Sequence, residues 1–308
     1  MAQKIIDLTT QHPSWVGDLF PVAFGKCNDN FTELFAATAG LPAMGGRNML
    51  INCSIPINQR GFAGGALAAG VYGYDRWKAG AGGCNVTINA TTGVFTHTSG
   101  PLQQIVEAPP LAWGQPLTIS VENPSGSIAV SVGGATATIT AGSGRRGVTV
   151  TPSGSGNMTV QLTATGVTYS RPQLERGSAA TPFDVRWYAL ELLLCQRYYE
   201  KSYNDTVKPG TAGAGDGRCT VLVTGLPATA HIWGQSVDFR VSKRANPSIT
   251  TYSHATGAVG MARDSSVNGD VPTAISAPGQ AGFLWYASAA GSPASVNLEC
   301  HWVADAEL

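Results

Sequence analysis

Between Leu117 and Glu175 the chain keeps returning to one pattern, an apolar or β-branched residue followed by a small or polar one. It reads "LTISVEN", "SIAVSVGG", "ATATIT", "GVTVTP" and "MTVQLTATGVTYSRPQLE". Each run is short, has a period of two and ends in Gly, Pro, Asn or Ser. That pattern predicts half-buried strands closed by turns, because successive side chains of a strand point to opposite faces. Strands following one another at roughly ten-residue spacing predict an antiparallel sandwich of jelly-roll type. "NMLINCSIPINQRGF" supplies a first strand and "YGYDRWKAG" the next, which bounds the sandwich at 47–183.

Two stretches break the period. Within 1–46, Phe24, Cys27, Phe31, Leu34 and Phe35 form a helical stripe. A helix that short is marginal alone in water, so it packs either on its own domain or on sister subunits. From Asp184 onward, Trp187, Leu190, Leu194 and Tyr198 repeat at helical spacing, predicting a connecting helix over 184–203. It is apolar around more than half its girth and is expected to be buried on two sides. Strand patterns resume in "GRCTVLVTGLP", "AISAPGQAGFLWYASAA" and "VNLECHWVADAEL", giving a second β-domain over 204–308. The expected fold class is therefore mainly β: a jelly-roll sandwich and a C-terminal β-domain, with a short N-terminal helix and one connecting helix.

Only 12% of the residues are charged and the formal net charge is zero, against roughly 25% charged in an average soluble domain. Either Ser, Thr, Asn and backbone groups solvate the surface, or much of it is buried against other subunits. No Lys/Arg stripe is available to neutralise a row of phosphates, so nucleic acid is not an expected partner. No apolar run is long enough for a transmembrane helix, so no membrane insertion is expected, and "MAQKIIDLTTQHPSW" lacks the apolar core of a secretory leader. The six cysteines are scattered and never form CxxC, a pattern of reduced, buried thiols. The five histidines are isolated, with no metal-ligand spacing, and "GDGRC" lacks the GK[ST] ending of a phosphate loop. No metal and no cofactor are expected. Asp75, Glu107, Glu122 and Glu175 form no paired motif, whereas a glycosidase needs two facing carboxylates. The chain is not expected to be an enzyme.

Sugar recognition is the better-founded chemistry, since aromatic faces stack on the C–H side of a sugar ring. Tyr72, Tyr74, Trp77 and Trp113 are the aromatic candidates in the sandwich, and Tyr252, Trp285 and Tyr286 those in the last domain. In "GFLWYAS", Phe283, Trp285 and Ala287 point one way and Leu284, Tyr286 and Ser288 the other. One face is core, so Trp285 and Tyr286 cannot both face outward on it. The binding candidates are Tyr252, Trp285, Tyr286 and Trp113, each with core or subunit interface as its alternative place.

Two segments carry a resemblance to a known family. "NMLINCSIPINQRG…YGYDRW" and "QLERGSAATPFDVRWYALELLLCQRYYEK" resemble a module of tailed-bacteriophage tail-fibre and appendage proteins, with its signature QLExGxxATPF…LCQRYYxK around a carbohydrate-binding-like jelly roll. The matching positions include Gln173, Leu174, Glu175, Gly177, Pro182, Phe183, Glu191, Cys195, Gln196, Arg197, Tyr198 and Tyr199. "FGKCNDNFTELF" is similar to a segment near the start of many such proteins. The resemblance implies a virion structural protein, assembled in the host cytoplasm as a homotrimer. Its N-terminal segment would attach to other virion proteins and its exposed C-terminal domain to a host cell-surface glycan. Three weak sites on one rigid body would gain avidity. The helical residues Phe31, Phe35, Trp187, Leu194 and Tyr198 are the expected trimer interface, and Trp77 of "DRW" is expected in the core. Some relatives are capsid-bound head fibres or decoration proteins and others polysaccharide-degrading tailspikes, which stand as the alternatives.

Overall fold

The computed structural model describes residues 6–7, 10–39, 46–224, 232–288 and 295–308, with the backbone alone for 32–39. The chain is mainly β with two helices among the described residues, and its strands pair antiparallel. Residues 1–46 with 181–185 form one compact unit, and 47–180 with 186–308 form a second.

In the first unit, α1 (Phe20–Ala39) is the helix expected from the aromatic stripe, and it starts one turn earlier than the stripe. Phe20, Val22, Phe24 and Phe31 are exposed, and the Phe20 and Phe24 rings meet at 4.5 Å. The Phe35 side chain lies outside the described residues.

The sandwich begins with β1 (Gly65–Leu67), β2 (Lys78–Ala79), β3 (Cys84–Ile88), β4 (Val94–Ser99), β5 (Pro101–Val106) and β6 (Leu117–Glu122). It continues with β7 (Ile128–Val132), β8 (Ala135–Ile139), β9 (Arg145–Val150), β10 (Met158–Thr163) and β11 (Val167–Arg176). One sheet has the order β1-β3-β4-β11-β6-β9 and the other β2-β5-β10-β7-β8. The alternation read from the sequence is the alternation of burial in β7 and β10, which hide every second residue, whereas β6 buries five residues in a row. Phe95, Ile119 and Leu174 of one sheet and Leu102, Val130 and Val160 of the other are buried, as a sandwich requires. Trp77 is fully buried, as expected, edge-on to Phe95, which stacks on Tyr169.

The two halves of the sequence signature meet in space. Asn48 donates from Nδ2 to Pro172 O at 3.2 Å, and its Oδ1 accepts from the Leu50 and Leu174 amides at 3.0 Å each. Asn52, in left-handed backbone at φ 63°, donates to the Ile57 and Asp75 carbonyls at 2.8 Å each. Gln59 donates from Nε2 to Asp75 Oδ2 at 2.6 Å and to Tyr199 O at 2.8 Å. Arg60 lies 3.7 Å over the Tyr199 ring and pairs with Asp305 at 3.0 Å. Arg76 lies 3.5 Å over the Tyr198 ring and pairs with Glu307. These polar groups pair with one another, although Nε of Arg60 and of Arg76 is buried without a hydrogen-bond partner, and truncating one member would strand others. Gln59, Arg60 and Arg76 of one half of the signature and Tyr198 and Tyr199 of the other therefore fasten the sandwich to the C-terminal sheet.

The connecting helix is shorter than expected. α2 spans Tyr188–Gln196, nine residues rather than the twenty of 184–203. The helical spacing continues through Tyr198 and Lys201, but β12 (Tyr199–Lys201) is drawn into a sheet by β19 (Ser295–Asp305). Pairing with a long strand satisfies the backbone groups that face it, which overrides the local period. Nor is α2 buried on two sides: Cys195 and Gln196 are buried, while Trp187, at its N-cap, is 77% exposed and Tyr188, Leu190 and Leu193 are exposed with it. The remaining strands are β13 (Cys219–Thr224), β14 (Ile232–Asp238), β15 (Ser248–Ser253), β16 (Met261–Asp264), β17 (Gly269–Ser276) and β18 (Gly282–Ser288). β19 carries β12 and β13 along one edge and β15 and β16 along the other. Trp285, Phe283 and Trp302 centre the core of this sheet.

Candidate functional site

Among the sequence candidates for sugar contact, Trp113 has the setting of a binding platform. It lies in the loop from β5 to β6, which is stitched to the loop before β10. Gly114 N donates to Pro152 O at 2.8 Å, Ala108 N to Asn157 Oδ1 at 3.0 Å, and Trp113 Nε1 to Gly156 O at 2.9 Å. The ring rests against Gly133 and Gly154, both at positive φ. A methyl group at Gly133 would stand 2.5 Å from the ring and one at Gly154 3.0 Å. Only glycine meets both demands, a left-handed backbone and a bare surface for an indole. The indole is thus fixed in position and stays half-exposed.

A cavity of about 450 Å³ opens beside it, lined by Leu111, Trp113, Gln115, Pro116, Arg176 and Gly177. Leu111 forms a rim, 84% exposed, in left-handed backbone at φ 52°. Arg176, the last residue of β11, holds this rim: Nε donates to Leu111 O at 3.3 Å and Nη2 to Pro110 O. An aromatic face, an amide and a guanidinium around one hollow suit a ligand with both C–H faces and hydroxyl groups. Arg176, Gln115 and Leu111 went unread as site residues in the sequence. The paired glycines of "VGG" and the "GSG" before Asn157 were the signal that a ring is seated there.

The other candidates do not join this site. Trp285, expected as a binding residue, is 0% exposed in the core beneath the C-terminal sheet, which corrects that expectation. Tyr286 takes the opposite face, half-exposed between its cross-strand neighbours Gly234 and Ala274, so the predicted alternation holds. Tyr252 is half-buried, edge-on to Tyr203, which in turn stacks on His301 at 3.8 Å. Tyr74 and Trp77 are core, and Tyr72 is covered by Arg60 and Lys78.

The interface candidates divide in the same way. Trp187 and Phe31 are exposed in the single chain, and Leu194 is half-buried. Tyr198 is not available: it is 5% exposed, lies under Arg76 and donates its hydroxyl to Glu107 at 3.0 Å. A second hollow of about 580 Å³ flanks α2, lined by Leu192, Leu193, Gln196, Tyr203, Asp205 and Arg240 among others.

The carboxylates have structural partners. Asp75 accepts two bonds from Gln59, and burial pushes its carboxyl up to about 7 against the pull of Arg60 and of those bonds. Burial would raise Glu107 too, but hydrogen bonds from Arg197 and Tyr198 hold it below the usual carboxylate range. Glu200 forms a buried pair with Lys243 at 2.5 Å. Among the described residues no group of three or more His, Cys, Asp or Glu is placed to hold a metal ion. Among them, too, no helix is long and apolar enough to cross a membrane.

No family model matches the chain, and no curated protein matches it. One similar solved structure is a cycloisomaltooligosaccharide glucanotransferase of Paenibacillus sp., complexed with cycloisomaltoheptaose. It is 10% identical, covers 90% of this chain at a TM-score of 0.22, and this chain spans 50% of its length. Neither a site nor an activity follows from a likeness at that level.

Proposed function

We propose that this chain is a non-enzymatic structural protein of a tailed-bacteriophage virion, a self-associating fibre or appendage subunit that attaches to a host-surface glycan. The observation that carries glycan attachment is the Trp113 cavity, where an indole fixed by a hydrogen bond and two glycines faces an open hollow with Gln115 and Arg176. The virion assignment rests on the signature in the sequence, whose residues form a coherent joint in the fold. Self-association is supported by the exposed apolar side chains of α1 and α2 on a chain with few charges. The phage reading places α1 with the virion attachment segment and α2 between copies of the chain.

The test is a glycan array probed with the intact protein and with Trp113→Ala. Binding to a defined sugar that weakens about tenfold in the variant is the expected result, because a stacked aromatic contributes on the order of 1 kcal/mol beyond its buried area. A bound sugar indifferent to Trp113 would move the site elsewhere. Silence across the array would leave a scaffold or head-decoration role in place of attachment.

A further inference from the structure

Resting on that reading of the Trp113 cavity, we infer that the sugar it takes is acidic, a carboxylate-bearing residue whose anionic group pairs with Arg176 while its ring lies on the indole. Arg176 spends Nε and Nη2 on the backbone carbonyls of Leu111 and Pro110, which are neutral acceptors. These bonds orient the guanidinium and leave its charge uncompensated. Among the described residues no carboxylate lies within ion-pair distance of it, and no Asp or Glu lines the cavity. Several other arginines are neutralised by a carboxylate, although Arg146 and Arg244, like Arg176, have none among the described residues. Arg145 and Arg171 both pair with Glu122, and Arg197 pairs with Glu107. Nη1 has no protein acceptor among the described residues and remains for a ligand.

A planar guanidinium held at two of its nitrogens loses little further freedom when it binds a carboxylate, so the geometry favours an anion over a hydroxyl. The surroundings sharpen the preference. Leu111 and Pro116 give one side of the hollow an apolar lining, and Gln115 offers an amide that can both donate to and accept from ring hydroxyls. A neutral sugar would fill the same space and stack equally well on Trp113. It would leave the positive charge facing a polar but uncharged group.

The experiment is affinity electrophoresis of the intact protein through gels containing polygalacturonate, alginate, dextran or dextran sulfate, at low and at 0.5 M salt. Wild type, Arg176→Gln, Arg176→Lys and Trp113→Ala are run side by side. The inference expects retardation by a carboxylated polymer that falls about tenfold in Arg176→Gln, the weight of one charge-assisted hydrogen bond. Arg176→Lys should recover part of it, and Trp113→Ala should lose it while keeping all charges. Equal binding of dextran and the carboxylated polymers would overturn the acidic preference and leave the glycan site standing. Retardation by dextran sulfate as strong as by the carboxylated polymers, and unchanged in Trp113→Ala, would show charge attraction without a site and overturn the inference as well. No retardation by any polymer would overturn both this inference and the glycan reading beneath it. Thermal unfolding of each variant separates lost binding from lost fold.

Discussion

At the scale of single residues, Asp75 gives the fold a dependence on pH. Its carboxyl titrates at about 7 in the folded chain because burial opposes ionisation, whereas an unfolded aspartate titrates near 3.9 (about). The folded state therefore binds the extra proton between those two values, so the contribution of Asp75 is most favourable at the acid end and is lost as pH rises from about 4 to about 7. At about 1.4 kcal/mol per pH unit the loss is on the order of 4 kcal/mol. His97 and His301 slope the other way, since burial first of all lowers both and disfavours their charged forms as pH falls. The comparison to make is thus between wild type and Asp75→Asn, by urea unfolding at pH 5 and pH 8. Wild type should lose stability relative to the variant across that interval, and parallel curves would contradict the assignment. Asn48→Ala tests the contact between the two halves of the signature. Removing three hydrogen bonds at a buried position should lower stability by about 2–3 kcal/mol in the same assay, and a change under 0.5 kcal/mol would show that this contact is dispensable. Single residues also show where the sequence was legible. The alternation of "GFLWYAS" separated Trp285 from Tyr286 but could not say which face was core, because both faces present large rings. Trp113 was readable as an aromatic near glycines. Arg176 was not readable as its neighbour, since the two are brought together only when β11 pairs with β6.

Among the elements, the strands from β3 onward were legible because turns and alternation are local properties, and β7 and β10 bury the residues that the pattern assigns to the core. The expected strand in "NMLINCSIPINQRGF" is instead irregular backbone, and "YGYDRWKAG" yields only two strand residues. The end of α2 was not legible. Tyr198 and Lys201 keep the helical spacing, yet the eleven residues of β19 offer an edge that captures Tyr199–Lys201 as strand. That pairing depends on residues a hundred positions away, which no local period can report. What remains of α2 is a short helix with Leu190 and Leu193 exposed at 42% and 46%. In the proposed assembly these two side chains lie between copies of the chain. Replacing both, Leu190→Glu with Leu193→Glu, should leave the circular dichroism spectrum and melting temperature of the protomer nearly unchanged, as surface substitutions do. The same change should shift the native protein toward monomer, since unpaired charges in an interface core are costly. An unaltered oligomer would remove α2 from the interface.

For the molecule as a whole, the question is what covers its apolar surface. Charged residues make up 12% of the chain, and the exposed large side chains include Phe20, Phe24, Phe31, Trp187 and Tyr188. Burying such side chains between copies stabilises an assembly by about 25 cal/mol for each Å² of apolar area removed from water. Self-association would also turn one shallow sugar site into several on a rigid body, raising attachment strength through effective concentration rather than through a tighter pocket. The native mass in solution, by light scattering on unheated protein across a dilution series, tests this most directly. The account predicts a stable species of three times 31.9 kDa that persists on dilution. A monodisperse species at the mass of one chain would contradict it.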